Sequence, residues 1–463
     1  MRKIQQSFLA LFLGLLLFLS VLPVAAERSW PRNISVAKTS LVINNYEFGP
    51  AVDKLVLEMN DYVTRVDTSS LQVKTMGVDR RVTKAYLSDA QGREARQNAS
   101  KYLALDLAVD SFNSDDPTQT AQPFSFDLTT YRNSWVSSYP VKVDGLRLSP
   151  YYGRRLIQVN SEQETIANKI IPSAQVFSER GAYSLPYAAY QPQSAGSGEK
   201  KPLLVWLHGI GEAGEDINFP LLANEVNKLT QEEIQSHFTS TGTGAQKGAY
   251  VLIPQSPTAW GESQEAALKE TIESYVAAHP DIDRSRIYLM GGSNGASMTV
   301  DMGVSYPDTF AALVPIAGLL SSRVQVTESA GDNIYSLDEK SMTALKDQPI
   351  WLITARADES VPVDSNTLPF YKGLLHGGAS NKWLTYYENV QGTELAQTYN
   401  GHWSWIYLFH DQITGVQNPD NARTWPGLTG MVATDAAKGG DAQATVNGQA
   451  YNNIFDWLNA QRR

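Results

Sequence analysis

Near the middle of the chain, Gly291-Gly292-Ser293-Asn294-Gly295 sets a serine between small residues. An apolar run at 287–290 precedes it and a helix-like stretch at 296–305 follows. A tight strand-to-helix turn leaves no room for bulky flanking side chains and exposes the serine hydroxyl above the sheet edge. The helix N-terminus behind it offers free N–H groups and positive dipole to a developing oxyanion. The chemistry that fits is attack on a carbonyl carbon, with Ser293 as nucleophile. A hydroxyl is a poor nucleophile at neutral pH and needs an adjacent base.

Six histidines are available. His208 follows the apolar run 203–207, in Leu207-His208-Gly209-Ile210-Gly211-Glu212, which is the place for an oxyanion loop rather than for the base. His279 precedes Pro280 and reads as a solvated cap at a helix end, while His237 and His376 lie in polar, loop-like stretches. His402, in Gly401-His402-Trp403-Ser404-Trp405, comes after the last candidate strand and is the expected base, with nearby His410 as its rival.

The third member should be a carboxylate at the carboxyl end of a strand between serine and histidine. It would fix the imidazole tautomer and stabilise the imidazolium. The run 350–355 ends in Arg356-Ala357-Asp358-Glu359, so Asp358 fits, with Glu359 as the neighbouring alternative. Asp301 falls inside the helix after Ser293 and points the wrong way. The order Ser293, Asp358, His402 is the chain order of α/β-hydrolases. Two N–H donors are needed for the oxyanion: Asn294, and Ile210 with Gly211 as the alternative. Trp403 and Trp405 either line a pocket or pack under the histidine loop.

These residues need a framework. Apolar runs at 203–207, 250–253, 287–290, 311–316, 350–355 and 382–387 read as buried strands. Helical periodicity lies between them, as in Leu268, Ile272, Tyr275 and Val276, which share one face before Pro280. Such alternation predicts a mostly parallel sheet covered by helices on both faces, over 165–463. The stretches 170–177 and 183–190 are expected to open it, and 217–248, 321–347 and 411–450 are expected as loop-rich insertions. Residues 33–160 differ. Alternating runs at 54–59, 71–75, 101–109 and 125–128, separated by turn clusters such as 111–117, predict a small antiparallel sandwich. Its role is packing or spacing, or binding of a substrate or cell wall.

The 463 residues allow about two or three domains. With 19% charged and 42% hydrophobic residues the chain can bury a core. A net charge of -10 without a basic run argues against nucleic acid or an anionic membrane as the main partner. The absence of cysteine excludes disulfides, thiolate nucleophiles and Cys-ligated metals. No metal-ligand spacing is present, and no cofactor is expected. Arg2 and Lys3, the apolar run 8–22, Pro23 and Val24-Ala25-Ala26 read as a signal peptide, 1–26, cut after Ala26. The alternative is an uncleaved anchor, slightly short for a bilayer span. Nothing later in the chain is apolar enough to cross a membrane, so a secreted, periplasmic or cell-surface location is expected.

Residues 180–463 resemble α/β-hydrolases related to polyhydroxyalkanoate depolymerases and feruloyl esterases. The segment Leu207 to Glu212, with Gly214 and Asp216, is similar to that family's loop after the third strand. Asp283-Arg284-Ser285-Arg286-Ile287-Tyr288, leading into the Ser293 turn, is similar to its elbow approach; Asp358 with Val361-Pro362, and Gly401-His402 with Trp405, complete the likeness. An immunoglobulin-like domain ahead of such a unit resembles a known bacterial esterase arrangement. The resemblance implies an α/β-hydrolase fold preceded by an immunoglobulin-like sandwich. It implies a carboxylesterase acting on short acyl chains, with a small-molecule or polymeric ester as substrate. Two positions depart from the pattern: Asn294 stands where many relatives carry Met, and Ala296 where many carry a second Gly. Both bear on the acyl pocket. Two other readings remain: a serine peptidase of the prolyl-oligopeptidase type, using the same three residues, and a polymer- or wall-binding protein with a degenerate hydrolase domain. The intact serine, aspartate and histidine weigh against the second.

Overall fold

The computed structural model describes residues 33–110, 112, 120–240, 247–435 and 438–463. The expected signal peptide, and the turn cluster 111–117 except Phe112, lie outside them.

The N-terminal unit is a nine-stranded sheet folded onto itself. Its pivot is the long strand Gly49–Asp67. The register shifts between Glu58 and Val63, so the first half pairs with Ser100–Leu107 and the second half with Pro140–Pro150. Bulges of this kind bend a strand sharply, which lets one strand serve both layers. Leu41, Leu55, Leu103, Leu105, Val143 and Leu148 fill the space between. Each of the four strands expected in this region is present.

One expectation is corrected here. Residues 170–177 do not open the second sheet. Lys169–Ile170 instead pairs in parallel with Val36–Tyr46 on the N-terminal sheet, which therefore extends past the expected boundary at 160. Pro172 then begins the helical turn Pro172–Gln175, where its fixed φ and missing N–H suit the first helical position.

The second sheet has eight strands. In spatial order they are Glu179–Ala182, Pro186–Tyr190, Tyr250–Pro254, Lys201–Leu207, Ile282–Gly292, Ala312–Ile316, Ile350–Ala355 and Lys382–Tyr387. The first three pair antiparallel and all later neighbours pair in parallel. Strands covered on both faces lose the apolar–polar alternation, and Lys201–Leu207 is buried at every position. Its side chains divide by parity. Leu203, Val205 and Leu207 join one core with Leu268 and Ile272 of the helix Glu262–Ala278. Leu204 and Trp206 join the other, with Phe409 and Trp457. The insertion at 321–347 holds an antiparallel hairpin, Val324–Ser329 with Asp332–Leu337, and the helix Glu339–Leu345.

The two units exchange side chains. Leu222 of the second lies fully buried in the core of the first, with Phe219 beside it. In the opposite direction, Glu47 reaches the segment 393–399. It accepts hydrogen bonds from the backbone N–H groups of Thr393, Glu394 and Leu395 and from the hydroxyls of Thr393 and Tyr399, at 2.7–3.1 Å. Among the described residues no helix is long and apolar enough to cross a membrane.

Candidate active site

Ile282–Gly292 ends in the expected elbow. Ser293 has φ 56 and ψ -120, and the helix Asn294–Ser305 starts at the next residue. This backbone region is costly for any residue with a Cβ, by about 1–3 kcal/mol. It is held by bonds on both sides: Ser293 N–H donates to the Ile316 carbonyl at 2.9 Å, and the N–H groups of Ala296 and Ser297 donate to the Ser293 carbonyl. The flanking glycines are there for space. A Cβ on Gly295 would collide with the carbonyls of Leu207 and His208, and one on Gly291 with the Gly295 backbone. The elbow helix thus lies backbone-to-backbone against the end of the neighbouring strand.

Asp358 and His402 come together. Asp358 Oδ2 lies 2.9 Å from His402 Nδ1, and its carboxylate is buried. Asp358 Oδ1 accepts from the N–H groups of Ser360 and Val361 at 2.9 and 2.7 Å, so the carboxylate is aimed by its own loop. An ionised aspartate only accepts. The imidazole therefore carries its proton on Nδ1, leaving Nε2 as a lone pair. Gly401 N–H donates to the Ala357 carbonyl at 3.1 Å, and Asn400 Oδ1 receives the His402 N–H at 2.9 Å. The first staples the histidine loop to the aspartate loop, and the second caps the histidine turn itself. Trp405 completes the arrangement. Its ring meets His402 edge-on at 5.3 Å, and a Cβ on Gly292 would lie 3.0 Å from it. Trp405 thus touches both the elbow and the imidazole, while the Trp403 ring meets Tyr399 and Phe112 at tilted angles. No hydrogen bond joins the Ser293 hydroxyl to His402, among the described residues.

The rivals fall elsewhere. Glu359 is exposed. Asp301 pairs with Arg323. His410 Nε2 sits 2.7 Å from Glu225, and His237 lies between Asp411 and Asp456. His376 closes the helix Thr367–His376 rather than lying in a loop. Glu225, Glu394 and His410 place ligand-type atoms within 4.8 Å of one another. The Lys228 ammonium, 3.5 and 3.2 Å from the two carboxylates, already occupies the cation's role there.

The loop after Lys201–Leu207 forms a short helical turn, Ile210–Glu212. The N–H groups of Ile210, of the alternative Gly211 and of Asn294 have no acceptor among the described residues. A Cβ on Gly209 would lie 3.6 Å from Ser293 Cβ, so this loop adjoins Ser293. His208 is fully buried behind it. Its Nε2 accepts from Ser256 N–H at 3.0 Å, and its Nδ1 faces the Gly209 carbonyl at 2.6 Å. Burial pushes its pKa down to about 4, so it stays neutral and braces the loop.

Three contributors were not legible as such in the sequence. Asn294, expected only as a backbone donor, also uses its side chain, which exchanges two hydrogen bonds with the Trp260 backbone. Glu212, the last residue of the turn Ile210–Glu212, is buried, and burial pushes its carboxyl up to about 7. Asn133, from the N-terminal unit, hydrogen-bonds Glu212. The Glu212 position stood out only as part of the 207–212 motif, and Asn133 carried no signal.

Residues 185–364 match the family model described as esterase PHB depolymerase, and residues 38–146 match the one described as esterase Ig-like N-terminal domain. The chain is thus similar to esterases of the PHB depolymerase kind, with an Ig-like domain ahead of the esterase segment. A crystal structure of a thermostable esterase shares the fold, with a TM-score of 0.61 at 22% identity, over 81% of this chain and 97% of that one. A 58-residue stretch is 43% identical to poly(3-hydroxyalkanoate) depolymerase C of Paucimonas lemoignei, covering 12% of this chain and 14% of that protein. Over 211 residues the chain is 24% identical to a probable acetylxylan esterase A of Aspergillus flavus, covering 40% of this chain and 63% of that protein. The chain thus spans less than two thirds of the length of these two relatives. The esterase domain carries the elbow, and the Asp358 side of the site closes the matched segment; the histidine loop lies beyond it.

Proposed function

We propose that the protein is an exported carboxylesterase that cleaves esters through an acyl-enzyme on Ser293. The observation that carries this reading is the buried Asp358 carboxylate 2.9 Å from His402 Nδ1, with Trp405 in contact with both that imidazole and the Ser293 elbow. Ser293 Oγ attacks the ester carbonyl while His402 Nε2 takes its proton. The N–H groups of Ile210 and Asn294 receive the oxyanion. His402 then gives the proton to the departing alcohol oxygen. Water, deprotonated by the same nitrogen, attacks the acyl-enzyme, and as the C–Oγ bond breaks His402 returns that proton to Ser293 Oγ and the acid leaves. Asp358 stays ionised throughout, holding the ring and compensating its charge. No step calls for a cofactor.

The substrate class follows from the relatives' names, one acting on poly(3-hydroxyalkanoate) and one on acetylxylan. Both imply short acyl groups on an extended alcohol or polymer. The apolar leader at 8–22 supports export to where such polymers lie.

The test is a series of p-nitrophenyl esters of rising acyl length, beside an aminoacyl amide. Ester turnover that falls with acyl length and vanishes in Ser293→Ala supports the reading. Full turnover in Ser293→Ala overturns it, and faster amide than ester cleavage moves the protein to the peptidases.

A further inference from the structure

A hairpin of the Ig-like domain, Phe124–Asp127 with Arg132–Trp135, lies along the oxyanion loop of the esterase domain. Arg132 Nη1 donates to the carbonyls of Ala213 and Pro257 at 3.0 and 3.2 Å. Trp135 Nε1 donates to Asp216 Oδ2 at 2.8 Å. Between them, Asn133 Nδ2 donates to Glu212 Oε1 at 3.2 Å. Gly211 is the point of closest approach. A Cβ there would lie 2.9 Å from Asn133 Nδ2 and 3.5 Å from the Phe126 ring.

Glu212 is 7% exposed, and no cation lies within ion-pair distance of it among the described residues. A buried carboxyl without a cation depends on its hydrogen bonds. Its other oxygen, Oε2, lies 3.1 Å from the position a Cβ would take on Gly209, and that same position is 3.6 Å from Ser293 Cβ. The Gly209 backbone also hydrogen-bonds the Glu212 carboxyl, so the link from Asn133 passes through Glu212 to Gly209, the residue that adjoins Ser293. Oxyanion donors act only when held within a fraction of an ångström of their working position. A side chain that fixes the turn 209–211 acts on the transition state without touching substrate.

We propose that Asn133 is a positioning residue for ester hydrolysis: through Glu212 it holds the Gly209–Gly211 turn in the geometry that receives the oxyanion. This rests on the Ser293 reading. The Ig-like domain then contributes directly to the transition state, and the hydrogen bond at Glu212 is where it does so.

The experiment uses the full chain and p-nitrophenyl acetate. Asn133→Ala lowers kcat roughly tenfold or more, with KM within about twofold, in line with losses seen when outer supporting hydrogen bonds are removed. Asn133→Asp sets two carboxyls together, which share one proton at low pH and repel at high pH. Its kcat relative to the wild type falls as pH rises from about 5 to about 9. Adding Glu212→Gln restores a donor facing Asp and removes that pH dependence. Wild-type kcat in Asn133→Ala, or a pH-independent ratio in Asn133→Asp, overturns the proposal. Failure of the underlying reading is seen separately, as turnover that survives Ser293→Ala.

Discussion

Trp260 and Asn294 are joined backbone to side chain at two points: Trp260 N–H donates to Asn294 Oδ1 at 2.7 Å, and Asn294 Nδ2 donates to the Trp260 carbonyl at 3.0 Å. The Trp260 indole also donates to the His208 carbonyl at 3.0 Å. One tryptophan thereby ties the elbow to the oxyanion loop. Asn294→Ala leaves both Trp260 backbone groups unpaired in a buried position. It should cost about 1–3 kcal/mol of stability and lower kcat, read by thermal unfolding and by ester turnover. A variant with unchanged Tm would mean that the clamp contributes nothing.

The positive φ of Ser293 gives a second expectation. Glycine reaches that conformation without a Cβ penalty, so Ser293→Gly should raise stability by about 1 kcal/mol once glycine's own entropy is set against the relieved strain. Ser293→Ala should give no such gain. Both should lose ester turnover. Comparing the two melting temperatures separates strain from chemistry.

Asp358→Asn keeps an oxygen able to accept from the Ser360 and Val361 N–H groups, so the loop should hold its shape. Its amide nitrogen then faces His402 Nδ1 as a donor, so the wrong imidazole tautomer is favoured. By analogy with other triads, kcat should fall by about 10³–10⁴ with the Tm preserved. Steady-state kinetics and a melt on one preparation settle the point.

Two buried groups set opposite limits of pH stability. Burial raises the Glu212 carboxyl from 4.5 to about 7. Its contribution is complete below the unfolded value and is lost as pH rises through the folded one, a span worth roughly 3 kcal/mol. Burial lowers His208 from 6.5 to about 4. Its contribution is present above 6.5 and is lost as pH falls through 4. Glu212→Gln, which keeps an acceptor for Asn133, should therefore gain on the wild type as pH rises from about 5 to about 8. Denaturant melts at several pH values test this. A constant difference would show that Glu212 is ionised throughout.

The catalytic framework was readable because parallel strands buried on both faces have no polar alternation. Runs such as 203–207 and 350–355 announce themselves, and the elbow announces itself through glycines demanded by backbone contact. Asp358 and His402 were singled out from chain order and strand ends, which are topological signals, and the structure brings these two side chains together. What stayed hidden depends on the approach of surfaces distant in sequence. Asn133 lies 79 residues from Glu212 along the chain, and neither patterning nor composition pairs them. The start of the second sheet was misplaced for a related reason: the run opening Ile170-Ile171 is apolar enough to pass for any strand, and Lys169–Ile170 pairs instead on the first domain.

Glu47 carries a consequence for engineering. Burial tends to raise its carboxyl, but the donors at 393–395 outweigh that and keep it below the usual glutamate value. Those donors sit just ahead of Asn400 and His402, while Leu222 is lodged in the opposite core. Neither half therefore behaves as an interchangeable cassette. Grafting this hydrolase onto a foreign N-terminal module would discard the anchor of its histidine loop, so useful chimeras must carry Glu47 and its turn along with the enzyme.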